Sequence, residues 1–258
     1  MTKSFKVKSI EKKGKKFLLI LIEENNLKEE EFIITEDQIV NLRLIKDKIL
    51  DNNEYKKLKQ EVKLETYYLK AINYINFKIR TEKEVRTYFE KEDLTKENIN
   101  KIIKKLKNIS FIDDERYTDL YIDESIRKRK GKYLIRYSLI QKGIDINQIE
   151  EKLVKYDYDT EVENASFLVN KLSTKYDEYP IRKQQQKITE KLISEGYETN
   201  IIRAVLANIE LTDNSYEKLV NEYQKYLNKE LPKEKIISKL LQHGYEYSKI
   251  KQVIGEHE

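Results

Sequence analysis

Leu139-Ile-Gln-Lys-Gly143-Ile144 recurs as Leu192-Ile-Ser-Glu-Gly196-Tyr197 and again as Leu240-Leu-Gln-His-Gly244-Tyr245, and each copy has an isoleucine ten residues after its first leucine, at Ile149, Ile202 and Ile250. A fourth stretch, Phe89-Glu-Lys-Glu-Asp93-Leu94 with Ile99, keeps the spacing with Asp93 in the glycine position. Glycine adopts the left-handed conformation that closes a helix, and the apolar residue after it can pack across the first turn of the next helix. The expected contacts are Ile144 on Ile149, Tyr197 on Ile202, Tyr245 on Ile250 and Leu94 on Ile99. The candidate N-caps between them are Asp145, Glu198, Glu246 and Thr95. Aspartate and threonine cap well and glutamate poorly, and a good cap contributes about 1 kcal/mol.

Each copy therefore reads as a helix, a tight turn and a second helix, and the stretch before it supplies a third. A three-helix unit with a period of about 50 residues buries little surface alone, so neighbours must stack. Composition agrees. Two prolines and six glycines in 258 residues leave little punctuation for anything but long helices with short connections. The fold expected is mainly α, with tandem three-helix repeats forming an elongated curved rod.

The first fifty residues read differently. Phe5 to Ile10, Lys16 to Ile22 and Glu31 to Ile34 are short β-prone segments separated by Lys-Lys-Gly-Lys and Asn-Asn turns, which predicts a small antiparallel sheet. Thr35 with Gln38 forms a capping-box pattern flanked by Ile34 and Ile39, so a helix should begin at Glu36. A second box, Asp51 with Glu54, lies between Leu50 and Tyr55, and a third is Thr81 with Glu84. The expected organisation is a β-containing domain with a helix over 1–61, three-helix repeats over 62–115, 116–160 and 161–210, and a last helical repeat over 211–258.

Charged residues are 38% of the chain and apolar ones 39%, enough hydrophobic material to fold. With no cysteine there is no disulfide, thiolate zinc site or cysteine nucleophile, and the expected location is cytoplasmic. The longest strongly apolar run, Phe17 to Ile22, is far short of the roughly 20 residues that span a bilayer, so no membrane partner and no targeting segment is expected.

Net charge is +5, and its local distribution matters more. Residues 1–16 carry seven lysines and one acid. Residues 123–136 carry Arg127, Lys128, Arg129, Lys130, Lys132 and Arg136 against Asp123 and Glu124, a local +4 beside Gly131. This second cluster is the candidate partner-binding surface, because arginine forks suit phosphates and carboxylates alike. Its plain alternative is a solvated helix face, and the N-terminal lysines could equally protect a sheet edge.

No catalytic residue, metal ligand, cofactor or small-molecule substrate is expected. Phosphate-cradling glycine loops and nucleophile elbows are missing. Asp113, Asp114 and Glu115 suit the start of a helix better than a cation. His243 and His257 have no ligand spacing, and His243 reads as a donor in a last helical turn. Most of the nineteen tyrosines read as core or boundary residues rather than stacking platforms for bases.

From Ala71 to Leu153 the order of motifs resembles the RecX family of RecA modulators. The matching residues are Arg80-Thr81 with Glu84-Val85, Phe111-Ile112-Asp113-Asp114 followed by Tyr117 and Tyr121, Arg127 and Gly131, and Ile135, Leu139 and Lys142-Gly143-Ile144. The chain departs at Thr118, where alanine is usual, and at Ile79, where a charged residue or proline is common. Length and the β-containing start resemble long members from low-GC Gram-positive bacteria.

The resemblance implies a non-enzymatic protein that binds RecA filaments on single-stranded DNA and restrains recombinase and co-protease activity. Weak direct DNA binding is compatible with it. Reversing two charges, as in Arg127→Glu with Arg129→Glu, should then weaken filament binding without unfolding. The residues themselves leave open a DNA-binding module of helix-turn-helix type and a repeat scaffold for another protein.

Overall fold

The structure, a computed structural model, describes residues 3–92 and 94–257. Two compact units divide the chain, Met1–Asp113 and Asp114–Glu258.

In the first unit, β1 (Phe5–Lys13), β2 (Lys16–Glu23), β3 (Glu29–Ile34) and β4 (Ile49–Leu50) form an antiparallel sheet in the order β3-β2-β1-β4. Alternation puts Phe5 and Val7 of β1 and Leu19 and Leu21 of β2 on the buried face, and a bulge between Val7 and Ser9 shifts the β1–β2 register. The fourth strand was not expected. At two residues it is too short to show an alternating pattern, and its place is set by pairing Phe5 with Leu50 and Lys6 with Ile49.

Helix α1 (Glu36–Asn41) begins where expected, with Thr35 and Gln38 closing both halves of the capping box. Helix α2 (Asn52–Phe77) starts at the Asp51–Glu54 box and runs unbroken through residues 61 and 62. Tyr55 and Leu58 cover the sheet, with the Tyr55 ring stacked 3.6 Å from Phe5. Farther along, Tyr68, Ala71 and Ile75 join a separate core with α3 (Glu82–Phe89) and α4 (Lys96–Asn108). Thr81 caps α3 with Glu84 completing the box, and Thr95 caps α4. Leu94 and Ile99 meet in this core, while the expected turn residue Asp93 lies outside the described residues.

The second unit holds three helix triplets, each around its own apolar core. The first is α5 (Asp114–Arg127), α6 (Lys132–Gln141) and α7 (Ile146–Leu153); the second α8 (Tyr158–Tyr176), α9 (Ile181–Ser194) and α10 (Thr199–Ala207); the third α11 (Tyr216–Leu227), α12 (Lys233–Gln242) and α13 (Tyr247–His257). The mainly α repeat fold with an N-terminal sheet is as the sequence predicts.

Gly143, Gly196 and Gly244 take φ of 84°, 88° and 95°. At each turn the glycine N–H reaches back three residues and the next N–H five, as in Ile144 N–H to the Leu139 carbonyl at 3.1 Å, Tyr197 to Leu192 at 3.1 Å and Tyr245 to Leu240 at 3.2 Å. That double closure is the Schellman arrangement. All three expected apolar pairs share a core. Asp145 caps α7 through the Asn147 N–H, whereas Glu198 makes no side-chain cap.

Candidate partner-binding site

The basic cluster occupies the end of α5, the turn after it and the start of α6. This turn meets the Gly196 turn of the following triplet. The Gly131 N–H donates to the Glu195 carbonyl at 2.8 Å, and the Tyr133 N–H donates to the Gly196 carbonyl at 3.1 Å. A Cβ on Gly131 would lie 2.2 Å from the Gly196 carbonyl oxygen, and one on Gly196 would lie 2.3 Å from the Leu134 Cβ. Gly131 has φ of −73°, which any residue can adopt, so proximity alone requires glycine there.

Side chains reinforce the junction. Lys130 pairs with Glu195, which Lys191 also reaches. Burial raises the Glu195 pKa, but hydrogen bonds from the two ammonium groups outweigh it and hold the carboxyl below its ordinary value. The Lys132 N–H donates to Glu161 Oε1 at 3.0 Å, with Lys132 Nζ 3.6 Å from Oε2. Glu161 is 3% exposed, and burial keeps its carboxyl above the usual value despite those partners. Arg136 reaches Glu150 on α7 and, at 3.5 Å, Glu198 beyond the Gly196 turn.

Arg129 sits at a positive φ of 54° with its guanidinium carbon 3.7 Å from the Phe167 ring centroid on α8. Its carbonyl accepts the Tyr197 hydroxyl at 2.9 Å. Burial also raises the Tyr197 pKa, in keeping with a phenol that donates this hydrogen bond. Lys128 makes an exposed 2.6 Å pair with Glu124, one turn back on α5.

Of the six cations, Arg127 alone is exposed with no intramolecular ion-pair partner among the described residues. The +4 counted along the chain is offset in space by Glu195, Glu161, Glu150 and Glu198. Those acids and Phe167 escaped sequence reading because each lies far along the chain. The repeated glycine at 196 was the only hint. Also unforeseen is an exposed stripe on α6, with Tyr133, Tyr137 and Ile140 at helical spacing and 59%, 53% and 42% exposed. Tyr117, Tyr156, Tyr197, Tyr223 and Tyr245 are buried, in line with the reading of most tyrosines as core or boundary residues.

Among the described residues no group of three or more acidic or histidine side chains could hold a metal, and no helix is long and apolar enough to cross a membrane. Asp114 and Glu115 lie in the first turn of α5. His243 is the C-cap of α12, its Nδ1 2.6 Å from Glu222; nothing is described of the His257 side chain.

Fold and site define a class: a tandem three-helix-repeat protein in which a basic turn of one repeat is clamped to the glycine turn of the next. Residues 113–153 match the family model for RecX, second three-helix domain. Regulatory protein RecX of Streptococcus agalactiae serotype V is 32% identical over 98% of this chain and 99% of its own length, and that of Listeria welshimeri is 28% identical over 97% and 95%. A crystal structure of regulatory protein RecX aligns with a TM-score of 0.67 at 26% identity, covering 79% of this chain and all of that one. RecX from Lactobacillus salivarius aligns at 0.51 and 31% identity, covering 56% of this chain and 94% of its own. The chain belongs to the RecX family of regulatory proteins.

Proposed function

We propose that this protein acts without catalysis, by binding RecA recombinase filaments on single-stranded DNA and restraining their recombinase and co-protease activity. Full-length similarity to proteins named as regulators supports this reading. The observation that carries it in the fold is the basic turn after α5. Its backbone is fixed by the Gly131–Glu195 hydrogen bond, and it holds Arg127 and Lys128 exposed at a set position. Preorganised cations lose less entropy on meeting a charged filament than mobile ones.

Within the cluster the roles divide. Arg127 and Lys128 make the electrostatic contact, while Arg129, Lys130, Lys132 and Arg136 fix the turn that presents them. Direct affinity for DNA is weak in this account, because most cations of the cluster already have carboxylate partners.

The test compares binding to a RecA filament on oligothymidylate with binding to the same DNA bare, over a range of salt. Filament binding much tighter than DNA binding is expected. Equal affinities with a steep salt dependence would instead make this a DNA-binding module.

A further inference from the structure

In the second unit, Arg129 stacks on Phe167 and Arg136 holds Glu150 and Glu198. Arg182 and Arg203, like Arg127, have no such partner among the described residues, and both are exposed. They come from different helices, α9 and α10, yet they border the same cleft of about 600 Å³.

The cleft follows from helical spacing. On α9, Arg182, Gln185 and Thr189 share one stripe; on α10, Arg203, Leu206 and Ala207 share the facing one. Leu206 and Ala207 give the cleft an apolar part of its lining. Arg182 also borders the adjoining cleft against α12, so it stands where the two meet.

We propose that this cleft docks a short acidic segment of a protein partner, with an apolar side chain seated against Leu206 and Ala207 and carboxylates held by Arg182 and Arg203. The guanidinium fork matches a carboxylate in two parallel hydrogen bonds. A nucleic-acid strand fits less well. No aromatic side chain borders the cleft between α9 and α10 to stack a base. The surface is separate from the basic turn and does not depend on the filament reading above.

The test uses the full chain and a fluorescein-labelled peptide of four Glu-Asp-Leu repeats, followed by anisotropy. Controls are the Gln-Asn-Leu counterpart and an oligothymidylate. Saturable binding of the acidic peptide is expected, at least about tenfold weaker in the Arg182→Glu/Arg203→Glu variant and unchanged in Arg127→Glu. The neutral peptide should bind far less, and oligothymidylate binding should not respond to the double variant. Circular dichroism confirms that the variant folds, and Arg182→Gln/Arg203→Gln gives the same comparison without added negative charge. Peptide binding that is absent, or that survives the double substitution, overturns the proposal. So does a parallel loss of oligothymidylate binding, which would make nucleic acid the occupant.

Discussion

Gly131 and Glu195 belong to different repeats, yet the N–H of the first donates to the carbonyl of the second at 2.8 Å. This contact exists because neither Gly131 nor the adjacent Gly196 carries a Cβ. A Cβ at Gly131 would meet Gly196 O, Gly196 C and Tyr197 N at 2.2 to 2.4 Å, all of them backbone atoms that cannot swing away. Gly131→Ala should therefore separate the two turns and destabilise the protein by about 2–4 kcal/mol. Gly255→Ala is the contrast: it lies in α13 with nothing within 4 Å of the added methyl, and should stabilise slightly, by up to about 1 kcal/mol. Urea denaturation of both variants checks the pair; similar losses in the two would contradict the close-approach account.

Glu161 gives a pH signature. Its folded pKa is raised above the ordinary carboxyl value by burial, so it holds its proton more tightly folded than unfolded. Stability from this group is fully present below the unfolded pKa and is lost as pH rises from there through the folded pKa. Glu161→Gln keeps an acceptor for the Lys132 N–H and removes the titration, so its advantage over wild type should grow across that rise. Glu161→Ala leaves the Lys132 N–H unpaired and should cost about 1–2 kcal/mol. Denaturation midpoints from pH 4.5 to 8 decide; a Glu161→Gln difference independent of pH would remove Glu161 as the cause.

Arg127 and Lys128 separate contact from scaffold. Arg127→Glu/Lys128→Glu should lower filament affinity at least about tenfold with stability within about 0.5 kcal/mol of wild type. Adding Arg129→Glu is a poor test, because it removes the stack on Phe167. That variant should lose about 1–3 kcal/mol of stability, which melting under matched conditions would reveal.

The Tyr197 hydroxyl ties α10's entry to the basic turn through the Arg129 carbonyl at 2.9 Å. Tyr197→Phe leaves that carbonyl without this donor and should cost about 1–2 kcal/mol. Tyr158→Phe, at a half-exposed ring, should change stability by less than about 0.5 kcal/mol. Equal effects would mean that the hydrogen bond contributes nothing.

What could be read from the sequence was local. The Thr35, Asp51 and Thr81 boxes involve partners three residues apart, and the Gly143, Gly196 and Gly244 turns depend on one residue type at a fixed place in a helical pattern. Strand β4 escaped because two residues show no periodicity. The clamp escaped for a different reason: Lys130 and Glu195 are 65 residues apart, and Glu195 looks like any of the chain's 46 acids until the fold brings them together. A sum of charge along the chain made the basic cluster look more open than it is. Arg182 and Arg203 illustrate the converse, since neither stands in a charge cluster and only helix packing sets them on one cleft.

Restraint of a RecA filament is the proposed activity. The most direct measurement is the single-stranded-DNA-dependent ATPase rate of a cognate RecA, titrated with wild type and with Arg127→Glu/Lys128→Glu at moderate salt. Inhibition by wild type is expected well below one molecule per RecA, with the variant needing at least about tenfold more protein. An unchanged ATPase rate with folded wild-type protein at equimolar RecA would contradict it.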